Sequence, residues 1–563
     1  MKGFPKFRAG CAALLALACS GVAAPSLAQT GPAISARPGE RTPRPLPPPA
    51  GTEGIRLSLD EAVALAIANN QDLNVSVNAA EASRYTLFSN MGIFDPLAEA
   101  AILRSHSEQP RTSQFTGAEV SRADTTNISA RVTQLAPTGG TFSLGFTGRR
   151  SSTNDIFFLV NPSWTTGLTL SASQPLLRNF GRDSTTWLIR ISRNSRDISY
   201  ENFVRSVQTA VNLVEQAYWD LVYAIRNLAV KQEALVVARD LNRITRIKID
   251  VGSLAPIDIT QTEVGIATAE QSIIIAESLI GDAQDRLKRL LSFSPEQWTI
   301  PIVPTDEVRA EQATVDVEAG IKTAYERRPE IIVAEYNVDS DRIRYDFWRN
   351  QTRPQLDLVG TYGYAGLGGT TTLRDDAGNI VSRERGGFSD AFQQILDRDF
   401  KNWSIGLNFS YPILNRRARG ERGAALYTWE SNKALLNTIE QNVLLEVRTA
   451  ARNIETAKRS IAAAQKSREL AERNLDAERK KFENGMTTSF QVNQIQNDLS
   501  AARSNELQAL AVYRKALSAY HFAIADILDW KGIRIEDLPA TEPPRPDSRA
   551  PRVLAPAPPP AGQ

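Results

Sequence analysis

Few residues of this chain are of the types that enzymes use for catalysis or for holding metal ions. The sequence has two histidines, His106 and His521, and neither has a cysteine or a pair of carboxylates nearby at ligand spacing. We expect His106 to be a loop residue and His521 to lie on a helix surface. The segment 137–140 (Pro-Thr-Gly-Gly) suits a hairpin turn better than a phosphate-binding loop. The sequence therefore predicts neither an enzyme nor a bound cofactor.

The amino terminus has the pattern of a secretory signal peptide, in which basic residues precede an apolar stretch and a small-residue cleavage site. We predict cleavage after Ala28. Both cysteines, Cys11 and Cys19, lie in this segment, so the mature chain would have no disulfide, thiolate nucleophile or cysteine-based zinc site. Lipidation of Cys19 at a lipoprotein processing site is the alternative.

The charge balance and hydropathy exclude two further classes of protein. The net charge is only +2, with acidic and basic residues interspersed, so no nucleic acid is expected as a partner. No run of eighteen apolar residues follows the amino terminus, so a membrane-spanning helix is not expected. Any membrane crossing would have to be made by β-strands.

The folded part is predicted to be a duplication, because four pairs of segments recur in the same order. These pairs are 59–73 with 317–331, Pro96 with Pro354, 167–177 with 406–414, and 250–252 with 483–485. Within each repeat we expect a helix, a strand, a long loop, a strand, a long helix, a glycine turn and a returning helix.

This pattern divides the chain into six parts. They are a signal peptide (1–28), a Pro-rich disordered linker (29–55), a first repeat (56–300), an inter-repeat linker (301–316), a second repeat (317–535), and a Pro/Ala-rich disordered tail (536–563).

The predicted helices are too long for an ordinary globular domain. Two of them, at about 183–250 and 419–484, each run some 65 residues, or roughly 100 Å. Shorter helices at 257–291 and 489–528 return alongside them. Apolar residues recur at spacings of three and four, with small residues beside them, which is typical of coiled-coil-like packing. The sequence therefore predicts an elongated helical body.

The predicted strands indicate contact with a membrane. Segments 355–364 and 403–411 alternate apolar with polar or small residues and carry terminal aromatics, as lipid-facing barrel strands do. A periplasmic β-sandwich is the alternative. We expect the connections 108–125 and 366–402 to be outward surface loops. Because lipid does not tolerate open sheet edges, such strands require further copies of the chain.

The first repeat is predicted to contain one β-hairpin more than the second. The separation between Pro96 and Pro175 exceeds that between Pro354 and Pro412 by enough residues for a hairpin. The segment 127–149 supplies two alternating arms with turn residues between them. We therefore expect six strands per subunit instead of four.

Over about residues 57–530, this order of elements resembles the TolC family of outer-membrane efflux proteins. The duplication, the strand-end residues Pro175 and Pro412, and the turns at Gly252 and Gly485 carry the resemblance. It implies a mainly α fold with β, in which a trimeric outer-membrane β-barrel is continued by a long periplasmic α-helical barrel. It also implies a passive channel for efflux or type I secretion, with a periplasmic adaptor and an inner-membrane transporter as partners.

The two glycine turns are the candidate tips of the helical barrel. Glycine enters left-handed geometry at little steric cost, so Gly252 and Gly485 suit sharp helix reversals. Pro256 and Asp258 suit the first turn of the returning helix. The resemblance implies that an adaptor docks at the tips. The docking residues would be Val251, Gly252, Ser253, Leu254, Asn484, Gly485, Met486 and Thr487.

The resemblance also implies a constriction of the tunnel mouth just past the second tip. Family members commonly place acidic residues there, but the matching positions of this sequence are Gln491 and Gln494, and Phe482 replaces the usual tip tyrosine. With Asp258, these residues are the candidate constriction. We expect a mouth that lacks a double carboxylate ring and is less cation-selective. Local helix capping by Asp258, and an ordinary tunnel-wall role for the glutamines, are the alternatives.

A periplasmic coiled-coil scaffold or adaptor without a pore is the competing interpretation of the whole chain. It accounts for the long helices and leaves the alternating strands unexplained. No cargo is predicted, because a wide tunnel recognises little of what passes through it.

Overall fold

The computed structural model describes residues 54–110, 119–155, 158–307, 315–375, 380–535 and 553–554. The predicted signal peptide and most of the predicted amino-terminal linker and carboxy-terminal tail lie outside these residues. The helices are α1 (Leu59–Asn69), α2 (Gln71–Met91), α3 (Arg182–Thr185), α4 (Trp187–Asp250), α5 (Ile257–Leu290), α6 (Val317–Arg327), α7 (Pro329–Gln351), α8 (Phe388–Asp397), α9 (Arg416–Glu483), α10 (Ser489–Ala523) and α11 (Ile527–Trp530). The strands are β1 (Ile55–Leu57), β2 (Leu97–Pro110), β3 (Val120–Leu135), β4 (Thr141–Thr153), β5 (Val160–Pro175), β6 (Ile302–Pro304), β7 (Gln355–Arg374), β8 (Ile380–Glu384), β9 (Phe400–Ser410), β10 (Arg534–Ile535) and β11 (Val553–Leu554).

Each repeat opens with two helices separated by a polar break. Ser58 caps α1 by accepting the N–H of Glu61, whose carboxylate accepts the N–H of Ser58 at 2.9 Å. Asn70 follows the last residue of α1, and its side chain accepts N–H groups from the first turn of α2. In the second repeat, Pro329 occupies the first position of α7 after the equivalent break. The recurring segments 59–73 and 317–331 therefore each contain a helix, a break and the start of a second helix.

Two long helical hairpins form most of the helical part of the described structure. Helices α4 and α9 have 64 and 68 residues, which corresponds to roughly 96 Å and 102 Å. Helix α5 returns along α4 and α10 returns along α9, and α10 also packs on α4. A buried stripe on α4 has the predicted three- and four-residue spacing. It includes Val207, Val211, Val214, Tyr218 and Leu221.

Within the described part of the chain, the buried apolar residues form three clusters along the helices. The largest joins α1, β1 and β6 to the middle of α4 and the end of α5. A second lies between α6, α9 and α10. The third is small and lies between α4, α9 and α10 close to the glycine turns. This division is expected for an elongated body, because no single compact core can form over such a length.

The long strands form one antiparallel sheet in the order β2-β3-β4-β5-β7-β9, with the short β8 paired to the far end of β7. Strands β3 and β4 form the hairpin that was expected near residues 127–149. Strand β5 of the first repeat pairs with β7 of the second, which joins the repeats in one sheet. Over the described ranges the sheet has six long strands, the number expected from the sequence.

The structure corrects the two connections that were predicted to be surface loops. Most of 366–402 is ordered secondary structure, because β7 continues to Arg374 and is followed by β8, α8 and β9. At 108–125, β2 extends to Pro110 and β3 starts at Val120. Polar residues continue these strands beyond the apolar band, so the end of hydrophobic alternation did not mark the end of pairing.

The structure also corrects both predicted linkers. Ile55 and Ile302 are buried and pair in the parallel ladder of β1 and β6, so the described fold includes the end of 29–55 and the first part of 301–316. The Tyr218 hydroxyl donates a hydrogen bond of 2.6 Å to the carboxylate of Asp306. Burial, followed by this hydrogen bond, raises the pKa of Tyr218. The junction between the repeats is therefore part of the largest core.

Among the residues that the structure describes, one helix is long and apolar enough to span a bilayer by composition alone. This helix is α5, and most of its apolar window is exposed. Because α5 packs lengthwise on α4 as one arm of a hairpin, its exposed apolar side chains form a surface along the helical body.

Candidate functional site: the helical tips and the two-faced sheet

Both long hairpins reverse at a glycine in left-handed geometry. The backbone φ angle is +73° at Gly252 and +71° at Gly485, as predicted for these positions. In each turn the N–H after the glycine bonds to the carbonyl five residues earlier, at 2.8 Å for Ser253 and 2.9 Å for Met486. This hydrogen-bond pattern satisfies the last carbonyls of α4 and α9 and fixes the reversal.

Lys248 links the two tips to each other. It lies in the last turn of α4, and its Nζ donates to the carbonyl oxygens of Phe482 and Glu483 at the end of α9, at 3.1 Å for Glu483. The same ammonium lies 4.5 Å from the centre of the Phe482 ring. A cation at a helix carboxyl terminus is favourable, because it complements the helix dipole. This side chain therefore holds the first hairpin to the second.

A buried carboxylate stabilises the second tip. Glu478 is nearly buried and forms an ion pair with Lys481, in which Nζ lies 3.0 Å from the carboxylate oxygen Oε2. The hydrogen bond from the Thr487 hydroxyl, and then that from Lys481, lower the pKa of Glu478 below its ordinary value. Because Thr487 lies beyond the turn, this carboxylate connects the last turns of α9 to the start of the returning segment.

Phe482 is not a mouth-lining residue, which corrects its assignment to the constriction. Its side chain is only 3% exposed and packs in the small apolar cluster at the tips. The buried members of this cluster are Leu241, Leu475, Phe482, Val492, Ile495 and Leu499. A phenylalanine has no hydroxyl that must reach water or a partner, so it fills the space between α4 and α10.

The other candidate mouth residues lie at the start of the two returning helices. Asp258 accepts a hydrogen bond of 3.4 Å from the hydroxyl of Ser489, which connects α5 to α10. Gln491 and Gln494 are exposed on α10. The Gln494 amide donates to the carboxylate of Asp498 at 3.3 Å. The structure therefore connects Asp258 to the second hairpin, and the two glutamines lie on an exposed face of α10 that also carries Asp498.

Sequence reasoning overlooked Lys248 and Asp498. The basic residue in the last turn of α4 was a visible signal, but its acceptors lie more than 200 positions away in the chain. Asp498 follows Gln494 by one helical turn, and this i, i+4 spacing was the available signal.

The tip residues proposed for adaptor docking divide into exposed and packed side chains. Val251 and Met486 are 69% and 70% exposed at the ends of the two hairpins. Leu254, by contrast, packs against the apolar cluster. Two apolar side chains held in water on rigid turns are available for contact with a partner.

One face of the sheet is apolar and exposed. A single row of paired residues crosses the five strands from β3 to β9. The row consists of Val132, Leu144, Leu170, Tyr362 and Trp403, all of which are exposed. An exposed row of apolar side chains across neighbouring strands is the surface that a barrel presents to lipid.

The opposite face is polar. The adjacent row, in the same register, consists of Thr133, Ser143, Ser171, Thr361 and Ser404. The Thr361 and Ser404 hydroxyls are 2.7 Å apart. This face holds a groove of about 550 Å³, whose lining includes Arg131 and Glu99. The sheet thus separates an apolar side from a side suited to water.

Helix α8 packs against the apolar face near one end of the sheet. Phe388 makes edge-to-face contacts with Phe146 and Trp164, at centroid distances of 6.5 Å and 5.6 Å. Gln394 donates to the carbonyl of Leu367 and accepts its N–H, at 3.0 Å and 2.9 Å. These bonds satisfy β7 where neither β8 nor β9 pairs with it, so the helix completes an interrupted ladder.

The outer edges of the sheet are β2 and β9. Within the described residues, β2 pairs only with β3, and β9 pairs only with β7. Each is a strand of more than ten residues with its other edge unpaired. Such edges are templates for pairing with another chain.

The structure corrects the predicted loop position of His106 and places His521 in helix α10 with its side chain partly exposed. His106 lies within strand β2, where its Nδ1 is 3.0 Å from the Asp124 carboxylate. His521 is largely covered, because its ring stacks on Trp530 at 4.3 Å and its Nδ1 lies 2.8 Å from Asp526. Both rings have ordinary structural partners.

Comparisons with known proteins agree with this architecture. The family model described as "Outer membrane efflux protein" matches residues 141–292 and 320–523, more than half of the chain. The nodulation protein T of Rhizobium leguminosarum bv. trifolii is 22% identical over 364 residues, covering 61% of this chain and 71% of its own length. The fusaric acid resistance protein FusA of Burkholderia cepacia is 25% identical over 227 residues, covering 39% of this chain and only 37% of its own length.

A solved structure shows the same fold over most of the chain. The CmeC outer membrane channel of Campylobacter jejuni aligns with a TM-score of 0.60 at 15% identity, covering 83% of this chain and 86% of that one. The chain therefore belongs to the outer membrane efflux protein family, the TolC-like channels of the outer membrane with a large periplasmic portion, and it is not an enzyme.

Proposed function

We propose that three copies of this chain form a passive exit duct, coupled through a periplasmic adaptor to an inner-membrane transporter. The observation that carries the proposal is the sheet, which has one apolar face, one polar face and two open edges. The name of the fusaric acid resistance relative supports efflux as the process. Type I secretion uses the same kind of conduit and remains the second candidate cargo route.

The exposed surfaces of the chain support assembly with further copies. Lipid leaves no partner for the free N–H and C=O groups of β2 and β9, so these edges require pairing with a neighbouring chain. Val264, Ile274 and Ile275 on α5 are each at least 60% exposed. A neighbouring helical hairpin would cover them, as in a barrel of packed helices.

We propose that the two tips are the adaptor docking surface. The turns at Gly252 and Gly485 lie at the ends of helices about 100 Å long, the length needed to reach far from the sheet. Lys248 joins the turns, so they move as one unit. Val251 and Met486 provide exposed apolar contacts on this unit.

We propose that the exposed face of α10 lines the tunnel mouth. Gln491, Gln494 and Asp498 lie on this face. In a trimer it would present one ring of carboxylates, from Asp498, and two rings of amides. Because amides carry no charge, cation attraction at the mouth would be weaker than with three acidic rings. Asp258 is hydrogen-bonded to Ser489 and acts between the hairpins.

Site-specific photocrosslinking in cells tests the docking proposal. A photoreactive amino acid at Val251 or Met486 is expected to capture a periplasmic adaptor. Arg459 is a matched control position, because its side chain is 79% exposed but lies on α9 roughly 39 Å from the turn. Capture of the same protein from Arg459 alone would contradict docking at the tips.

The same preparations distinguish the duct from a periplasmic scaffold. A duct is expected to fractionate with the outer membrane as a heat-modifiable oligomer and to conduct ions in planar bilayers. A soluble periplasmic monomer without conductance would favour the scaffold and overturn the proposed function.

A further inference from the structure

We infer that the barrel closed by three copies has eighteen strands, and that β3 and β4 make its lumen wide. This inference rests on the proposed function and extends it to the size of the pore. Each copy contributes six long strands, so a ring made of three copies alone has eighteen. The same three copies without β3 and β4 would give twelve.

Strands β3 and β4 are integral to the sheet. Every residue of β2, from Leu97 to Pro110, has a register partner in β3. On the other side, β4 pairs with β5 continuously from Thr141 to Ser151. The hairpin therefore lies between β2 and β5. A barrel that leaves the hairpin out could form only if the β2–β3 and β4–β5 ladders were both broken.

The hairpin turn is fixed at the end of the sheet that joins the helices. The carbonyl of Thr138 accepts the N–H of Gly181 at 3.0 Å, in the segment between β5 and α4. It also accepts the Gln174 side-chain amide at 3.1 Å. Gly139 has a φ of +87° and would meet the backbone of Asn179 if it carried a Cβ atom. The hairpin turn is therefore fixed by contacts with the end of β5 and with the segment that follows it.

The hairpin also preserves the two faces of the sheet. Because the hairpin adds two strands, an even number, β2 and β5 still run in opposite directions. The two faces of the sheet therefore stay aligned across the insertion. Val132 and Leu144 of the hairpin continue the apolar row into Leu170 of β5. Thr133 and Ser143 continue the polar row into Ser171. The inserted strands thus have the lipid-facing and lumen-facing pattern of barrel strands.

The open edges fit a closed ring of identical copies. Strands β2 and β9 run in opposite directions, because β2-β3-β4-β5-β7-β9 is antiparallel at every step and contains an even number of strands. Edge β2 of one copy can therefore pair antiparallel with edge β9 of the next, and repeating this step three times closes the ring. The occupant of each edge is a second copy of this chain.

The added strands have a large effect on pore width. With neighbouring strands about 4.8 Å apart and tilted by about 40°, eighteen strands give a backbone diameter of roughly 36 Å and twelve give roughly 24 Å. Side chains reduce both by about 10 Å. The duct would therefore be at least one and a half times wider at the outer membrane than a duct of twelve strands.

Electron cryomicroscopy of the full-length protein in lipid nanodiscs tests the strand number directly. The expected result is a trimer with eighteen strands, six from each copy. Twelve strands, or β3 and β4 folded away from the ring, would overturn the inference and leave the duct intact. A monomer without a barrel would instead overturn the proposed function.

A deletion variant tests the pore width. Removing residues 120–153 deletes β3, its turn and β4, and allows β2 to pair with β5 without changing which faces meet. A T169C substitution places a thiol on the lumen face in both forms. Maleimide polymers about 20 Å across are expected to label the wild-type background and to fail in the deletion background, whereas reagents about 10 Å across label both. Equal exclusion of the large reagent from both would overturn the wide lumen; if the deletion variant does not assemble, the strand count decides.

Discussion

Lys248 is the residue whose loss is expected to loosen the tips most directly. K248A removes the side-chain donor to the carbonyls of Phe482 and Glu483, so the contact between the end of α4 and the end of α9 is lost. We expect a loss of about 1 kcal/mol, or roughly a fivefold rise in local opening. Hydrogen exchange of the amides in 482–488 measures this opening.

The control for this experiment is R243A on the same helix. Among the residues that the structure describes, Arg243 pairs only with Asp240, one turn away and exposed, so its loss is expected to leave exchange at the tip unchanged. Equal exchange rates in K248A and wild type would show that the two hairpins are held together by other contacts.

Glu478 is expected to make the second tip sensitive to acid. Its folded pKa is depressed, so its contribution is complete above the ordinary value of 4.5 and is lost as the pH falls through the lower folded value. Wild-type protein should therefore show faster amide exchange at 484–488 below about pH 4.5 than at pH 7, after correction for intrinsic rates. E478Q should exchange faster at pH 7 and lose this dependence; a pH response that persists in E478Q would rule the carboxylate out.

The mouth residues are expected to set ion preference through the number of carboxylates on the exposed face of α10. The double variant Q491D/Q494D would add two acidic rings in a trimer and raise cation preference several-fold. D498N should shift the preference in the opposite direction. Single-channel reversal potentials in a salt gradient measure both effects, and an unchanged preference in both variants would remove this face from the mouth.

At the scale of residues, sequence alone predicted side chains whose role is local. Gly252, Gly485 and Pro256 were found because turn chemistry depends on the residue itself. Phe482 was placed incorrectly, because its burial depends on α4 and α10, which are distant in the chain. The Lys248 contact was missed for the same reason.

At the scale of elements, the two tip glycines and two helix glycines are expected to respond with opposite signs. Gly252 and Gly485 have open space around them but positive φ angles, so alanine costs roughly 1 kcal/mol through backbone strain alone. Gly420 and Gly423 also face open space but lie within α9, so alanine should stabilise the helix by roughly 0.5–1 kcal/mol.

Thermal unfolding of the four single variants measures this contrast. Destabilisation by G252A and G485A with stabilisation by G420A and G423A is expected. If all four variants shifted the midpoint in the same direction, left-handed geometry would not be what fixes the tips.

Long periodic elements were predicted well, and elements defined by pairing were not. The ends of α4, α5 and α9 fall within a few residues of the predicted positions, because 3.6-residue periodicity and glycine turns are local signals. Helix α8 was missed, since it is short and lies in a stretch rich in glycine and charge. The outer ends of β2, β3 and β7 were missed because there the ladder continues without apolar alternation.

At the scale of the whole molecule, the account depends on what one chain leaves unsatisfied. Its sheet has an apolar face, a polar face and two free edges, and α5 exposes a row of large apolar residues. The sequence predicted six strands from the extra length before Pro175, and the need for several copies from the intolerance of lipid to open edges. The position of the added hairpin between β2 and β5, which makes it part of the ring, required the strand pairing that only the structure supplies.

The mass of the particle extracted from outer membranes tests the central claim most directly. Native mass spectrometry of the full-length protein, released from detergent, is expected to show three identical chains and to give no folded species without detergent. A single chain that remains soluble and folded in detergent-free buffer would contradict the account.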